Sequence, residues 1–307
     1  MLLVCRQRFA ATLAVGLPLL ALALSIGTTA HAQNPFSATS YNATTVFTDR
    51  LGETTMTIAY DGNSYWSSSG GSANGIREAR YDAAGNLLGT YSPGLSFRSV
   101  FTTGGSTVFA RQFGDNTIYR QTAPGTFVNS GVTLTGGSLN WQSSVVWNST
   151  TGEFNALDQG TVGRWAADGS FLGNVALSGF GSLNGEGSYP QNRGIATAGN
   201  YWLTYNDNQV LSAWDFSGVR VGTTILNGVG TSAFDSPFSL SYANNQVFVV
   251  DSAGSSWRGY NVGLTPAVSA VPEPGEWATM GMAGAGLCGL MVRARRKKAT
   301  TSPIVVA

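Results

Sequence analysis

The sequence predicts an all-β domain, and three observations carry that prediction. The first is what is scarce: of 307 residues only 11% are charged, against about 25% in an average soluble domain. The second is what replaces charge: 40 glycines, with abundant Ser, Thr and Asn, stand beside 8 Trp, 11 Tyr and 15 Phe. Turn-formers interleaved with aromatics suit many short strands and do not suit a helical bundle. The third is an internal repeat. An aromatic residue is followed four positions later by glycine and then by a short strand-like run, at Tyr81 and Gly85, Trp165 and Gly169, and Trp214 and Gly218. A looser copy starts at Tyr119 and a truncated one at Tyr260, so the aromatic anchors stand 38, 46, 49 and 46 residues apart.

Within each unit the aromatic ends one strand, a tight glycine turn follows, and a second strand leaves it. Two further strand-like runs lie upstream: 144–147 and 153–157 before Trp165, 193–198 and 201–205 before Trp214, and 238–242 and 246–250 before Tyr260. Four strands in about 45 residues is the pattern of a propeller blade. Five anchors therefore predict a five-bladed β-propeller within a body spanning 33–264. The last unit runs out after its third strand, at Val262, while the segment 44–52 precedes the first unit and has none of its own. That segment is expected to supply the missing fourth strand of the last blade, sealing the ring and removing an exposed edge. The same pattern admits a β-sandwich or an irregular β-solenoid.

The two ends read as addresses. Arg6 and Arg8 precede an apolar run over 9–26, and Ala30-His31-Ala32 closes it with small residues. A basic start, an apolar middle and a small-x-small end make residues 1–32 a secretory signal, with cleavage expected between Ala32 and Gln33. At the other end a Pro/Ala/Ser linker (265–274) leads into Val271-Pro272-Glu273-Pro274, followed by Trp277, an apolar run to Val292, and Arg293, Arg295, Arg296, Lys297 and Lys298. The prolines hold the motif extended, and helix can begin only after Pro274. Trp277 stands where an indole favours a membrane interface, and the basic cluster is expected to stay cytoplasmic. The 16 residues from Trp277 to Val292 reach about 24 Å as a helix, short of the ~30 Å hydrocarbon core. Residues 275–298 are thus expected to span a membrane with snorkelling arginines, leaving 299–307 as a cytoplasmic tail.

Residues 271–298 resemble the PEP-CTERM sorting signal of Gram-negative bacteria, in which Val-Pro-Glu-Pro, a tryptophan, a short apolar helix and an arginine cluster follow in that order. The resemblance implies recognition by exosortase, a membrane-embedded cysteine protease-transpeptidase, and cutting near the Pro-Glu-Pro. It also implies a transient stay in the inner membrane, then the cell surface or extracellular matrix, in company with exopolysaccharide and biofilm. The nine residues after Lys298 depart from the usual pattern, which stops sooner.

The body excludes much by what it lacks. Residues 33–270 hold ten arginines, no lysine and fourteen acids, a net charge near −4, so there is no basic face for nucleic acid. The single His31 and the two cysteines, Cys5 and Cys288, all lie outside the body. Ser-His-Asp and Cys-His chemistry, His or Cys zinc ligation and disulfides are therefore excluded within it. No cofactor and no metal site is indicated. In a propeller the starts of the innermost strands surround one mouth of the central channel. By the repeat these are Glu53, Arg98, Gln142, Arg193 and Asp235, with Trp141 and Asn192 beside them. Forked arginine donors suit a carboxylate and the indole suits a pyranose face; alternatively these groups only solvate a watery channel. Asp61, Asp82, Asp168, Asp207, Asp215 and Asp251 read as turn residues. The expected function is non-catalytic binding at the cell envelope. The rival is a secreted polysaccharide hydrolase or lyase using a carboxylate pair such as Glu53 and Asp235.

Overall fold

A computed structural model describes residues 34–264 apart from 53, 72–74, 76, 207, 231–235 and 252–254. The signal residues Ala30, Ala32 and Gln33 and the sorting residues Val271, Pro272, Glu273, Pro274, Trp277, Arg293, Arg295 and Arg296 lie outside the described residues. Among the described residues no helix is long and apolar enough to cross a membrane.

The chain begins with two short strands, β1 (Ser40–Asn42) and β2 (Thr45–Thr48). Blade 1 follows as β3 (Thr55–Tyr60), β4 (Ser64–Ser69), β5 (Glu78–Asp82) and β6 (Leu87–Tyr91). Blade 2 is β7 (Phe97–Thr102), β8 (Val108–Gln112), β9 (Thr117–Ala123) and β10 (Thr126–Thr133). Blade 3 is β11 (Val145–Asn148), β12 (Glu153–Asp158), β13 (Thr161–Ala166) and β14 (Phe171–Ala176). Blade 4 is β15 (Ala196–Ala198), β16 (Tyr201–Tyr205), β17 (Val210–Asp215) and β18 (Arg220–Asn227). A single helical turn, α1 (Ser236–Ser239), leads to β19 (Ser241–Ala243), β20 (Gln246–Asp251) and β21 (Ser256–Tyr260) of blade 5. Each blade is an antiparallel meander, and the body is a five-bladed β-propeller. The expected inner strand over 238–242 is shorter than its pattern suggests, because Pro237 suits the first turn of a helix and α1 takes up its first residues.

The N-terminal segment closes the ring as the sequence predicts. β2 completes blade 5 by pairing antiparallel with β21, Val46 opposite Arg258 and Phe47 opposite Trp257. Hydrogen bonds from Thr44 N to Gly259 O and from Asp49 N to Ser255 O, both 2.8 Å, bracket the pair. The structure adds a clasp that the repeat does not disclose. β1 lies parallel to β18 as a fifth strand of blade 4, Ser40 opposite Ile225 and Asn42 opposite Asn227, and Thr224 Oγ1 donates to Ala38 O at 2.9 Å.

The five anchors explain why the repeat exists. Five hydrophobic clusters fill the five interfaces between neighbouring blades, and each anchor enters a different one: Tyr81 between blades 5 and 1, Tyr119 between 1 and 2, Trp165 between 2 and 3, Trp214 between 3 and 4, and Tyr260 between 4 and 5. Every sheet therefore buries both faces, and the central strands read as nearly continuous buried runs. A register shift falls at Tyr81, Trp165 and Trp214 alike, the bulge re-aiming the large side chain at the preceding blade. The glycine four positions on is required twice over. Gly218 has φ +87°, and a Cβ there would strike Ala176 O of blade 3. The same turn is held by Ser178 N donating to Gly218 O at 2.7 Å.

Phe47 of the closing strand is buried with Tyr65 and Tyr81 of blade 1 and with Phe248 and Trp257 of blade 5. Phe47→Ala is expected to cost about 3–5 kcal/mol and to lower the denaturant midpoint of the whole body in one transition. A transition that keeps its wild-type midpoint would mean that β2 does not close the ring.

Candidate functional site

The innermost strands β3, β7, β11, β15 and β19 form the wall of the channel. Their β-branched and hydroxyl residues stitch neighbours together across blades. Thr57 Oγ1 donates to Val100 O at 2.9 Å and accepts from Val100 N at 2.6 Å. Val145 N donates to Ser99 Oγ at 3.1 Å, Thr197 Oγ1 to Trp147 O at 2.8 Å, and Ile58 N to Ser241 Oγ at 2.9 Å. Between blades 4 and 5 the inner strands pack closely: Gly194 lies so near Pro237 O that no Cβ would fit.

At the end where these strands start, the structure brings Arg98, Trp141 and Gln142 together. Arg98 Nε donates to Gln142 Oε1 at 2.9 Å and its Nη1 to Phe97 O at 2.8 Å. Its guanidinium lies 4.7 Å from the centroid of Phe113, and Trp141, 62% exposed, meets Phe113 edge-on at 5.8 Å. Arg111, which the repeat does not single out, stands behind them with no exposed surface. Its Nη1 donates to Trp141 O and Ser143 O, while Nη2 is buried with no hydrogen-bond partner among the described residues. Burial lowers the affinity of both guanidiniums for their protons, bringing Arg111 down to about 10, and the neighbouring Arg98 charge adds to the effect on Arg111. Neither arginine makes an ion pair among the described residues; the four that do are Arg164, Arg193, Arg220 and Arg258.

Arg193 lies on the adjoining side of the same mouth, its Nη1 paired with Asp158 and its carbonyl bonded by Ser144 N at 3.1 Å. Asn192 is buried beside it, donating through Nδ2 to Gly187 O at 3.1 Å. Glu53 and Asp235 lie outside the described residues. The β14–β15 loop reaches over this end: its Tyr189 meets Phe238 of blade 5 at 5.7 Å and stands within electrostatic reach of Arg98 in blade 2. Sequence reasoning missed this cover because Tyr189 sits in a long insertion that belongs to no repeat position.

The carboxyls described near this mouth are structurally engaged. Burial opposes ionisation of Asp115, but bonds from Tyr119 Oη, Thr117 N and Gln112 Nε2 outweigh it and hold the group down to about 2. Glu78 is different: burial raises it from 4.5 to about 7 against the bonds it accepts from Gly125 N at 2.9 Å and Gln121 Nε2 at 2.7 Å. A value near 7 suits a general acid, yet Glu78 is wholly buried and ties blade 1 to the outer hairpin of blade 2, where no substrate reaches it. Asp61, Asp82, Asp168 and Asp215 do act as turn residues, each accepting from backbone N–H groups two to four positions on. Asp251 instead pairs with Arg258, and Asp207 lies outside the described residues. Among the described residues no three His, Cys, Asp or Glu side chains converge as metal ligands.

The channel opens at its other end. A cavity of about 400 Å³ lies where the inner strands finish, lined by one partly exposed side chain from each blade: Tyr60, Thr102, Trp147, Thr197 and Tyr242. Each of these residues stands shortly before the first turn of its blade, a position that the strand starts of the repeat do not mark.

No protein-family profile matches the chain, and no curated protein matches it. Among solved structures, the chain is similar to the glutaminyl cyclase of Myxococcus xanthus, with 11% identity, a TM-score of 0.50, and coverage of 72% of this chain and 97% of that one. A virginiamycin B lyase from Staphylococcus aureus matches with 16% identity and a TM-score of 0.35, covering 66% of this chain and 65% of that one. A protein of Desulfotomaculum acetoxidans described as functionally unknown matches at 19% identity and a TM-score of 0.37, covering 56% and 58%. At such identities the first likeness is one of fold alone.

The Glu78 carboxyl gives the site's surroundings a pH signature. The folded chain holds this proton to higher pH than the unfolded chain does, so the contribution of this group to stability is fully present below pH 4.5 and is lost as pH rises through about 7. The linkage is worth about 1–3 kcal/mol between these limits. Denaturant midpoints of Glu78→Gln are expected to lose that decline; an unchanged slope would assign it to another group.

Proposed function

We propose that this chain is exported through residues 1–32, processed by exosortase at its C-terminal signal, and left at the cell surface or in the matrix, where the propeller holds exopolysaccharide without cleaving it. The paired terminal signals support the route, and the observation that carries the binding reading is the pair Arg98 and Arg111. Two adjacent guanidiniums, buried and making no ion pair among the described residues, with Asp115 the one acid acting on Arg111 there, are costly to keep charged. An anionic ligand offsets that cost through forked hydrogen bonds. With Trp141 and Phe113 as the adjoining aromatic platform, the ligand class favoured is an acidic glycan, its carboxylate toward Arg98 and a pyranose face on the indole. The engaged states of Asp115, Asp158 and Glu78 favour binding over hydrolysis, and measuring reducing ends extends that judgement to Glu53 and Asp235.

The sorting reading is tested by the mature mass of the protein in cells with and without exosortase: residues 275–307 are expected to be lost only where the enzyme is present. Retention of that segment in both strains would overturn it. For binding, the full chain is incubated with a polyuronate while retention and new reducing ends are followed. Retention without new ends is expected, falling with salt and weakened about tenfold by Arg98→Gln or Trp141→Ala. New ends that disappear in Asp235→Asn or Glu53→Gln would replace the reading with that of a glycan-cleaving enzyme.

A further inference from the structure

The far end of the channel has a chemistry of its own. The residues lining its cavity include no charged side chain, although fourteen acids and ten arginines are spread through the body. The acid nearest in sequence, Asp61, is spent on its own hairpin, accepting from Asn63 N, Ser64 N and Trp66 Nε1. Above a buried apolar floor that includes Phe101 and Leu240, its more exposed lining is a ring of Tyr60, Thr102, Trp147, Thr197 and Tyr242, one from each blade, with Ser149, Asn244 and Asn245 beside them.

The ring is rigid. Tyr60 is fixed against Tyr65 at 4.8 Å and Trp147 against Phe154 at 4.9 Å. Asn244 and Asn245 both have positive φ, 48° and 59°, which is the geometry of a two-residue hairpin, and Asn244 Nδ2 is tied to Tyr65 Oη at 2.8 Å. The inner hydroxyls Thr57, Thr197 and Ser241 are consumed by the stitching between blades. The outer polar groups, Thr102, Ser149, Tyr60 and Tyr242, make no side-chain hydrogen bond among the described residues, and they line the cavity. A volume of about 400 Å³ falls within the ~300–1,000 Å³ range of small-molecule sites.

We infer that this cavity is a second binding site, for one neutral pyranose unit of a glycan. Aromatic walls with no charge match the apolar C–H face of a sugar, and hydroxyl and amide groups at the rim match its edge. An ion would lose its hydration here and find no counter-charge, while a purely apolar ligand would strand the rim hydroxyls. The inference goes beyond the acidic-glycan reading and does not depend on it, since it uses none of the residues at the opposite mouth.

The test uses the full chain and saturation-transfer NMR with neutral gluco-, galacto- and manno-configured trisaccharides, and a triuronate for comparison. At least one neutral probe is expected to show transfer that persists at high salt. The transfer should weaken about tenfold in Trp147→Ala and in Tyr242→Ser and stay unchanged in Trp141→Ala. Since Trp147 also packs on Phe154, Tyr242→Ser with Thr102→Val decides the matter if Trp147→Ala does not fold. Absence of transfer from every neutral probe at millimolar concentration overturns the inference, as does equal loss in Trp141→Ala. Loss of triuronate binding alone removes the earlier reading and leaves this one standing.

Discussion

Everything in this molecule hangs on the pairing of β2 with β21. A ring of blades has no hydrophobic core at its centre; its apolar burial lies in the interfaces between blades, and five blades have five interfaces only if the last meets the first. The four residue pairs from Thr45 opposite Gly259 to Thr48 opposite Ser256 make that fifth interface. They also remove the unpaired edge that β21 would otherwise present. β1, laid along β18 in blade 4, ties the same N-terminal segment to a second blade. Unpairing β2 would therefore expose apolar surface on two blades at once.

Inside that ring, the side chains divide labour by type. Aromatic anchors carry the burial between sheets, glycines allow the outer hairpins to approach the preceding blade, and hydroxyls join the inner strands where side chains must be small. The hydroxyl bonds are individually modest, about 0.5–1.5 kcal/mol net each. Their consequence is geometric: they hold five strand ends at fixed separations, so the channel keeps its bore. Between the fourth and fifth blades the inner strands meet through the close contact of Gly194 with Pro237, beside the loop that carries Tyr189.

The two ends of the channel differ because strand starts and strand ends draw on different residues. At the starts, Arg98 and Arg111 are buried side by side, bonded to Gln142 and to backbone carbonyls. At the ends, short hairpins bring threonine, tyrosine and tryptophan to the opening and keep carboxylates in their own turns. One scaffold thus sets two buried arginines beside one end of its axis and a lining without charged side chains at the other. Among the described residues, the carboxyl most displaced from its ordinary value, Glu78, serves neither end: it is a strut between blades 1 and 2.

Read from the chain alone, the all-β class, the five units and the closing segment were legible, because they depend on local spacing. At Tyr81, Trp165 and Trp214 the aromatic four residues before a glycine makes a strand, a bulge and a turn, and an unmatched segment before the first unit has one obvious use. Arg98, Trp141 and Gln142 were legible for the same reason, as strand starts in a repeat. Tertiary structure alone decided the rest. It placed Arg111 behind Trp141, carried Tyr189 over the mouth from an insertion that follows no period, laid β1 on blade 4, and left the opening at the end lined by Tyr60, Thr102, Trp147, Thr197 and Tyr242. The reason is physical: periodicity encodes which face of a strand is buried, whereas a cavity is the space left by side chains from five blades, and no local pattern records what those blades leave empty between them.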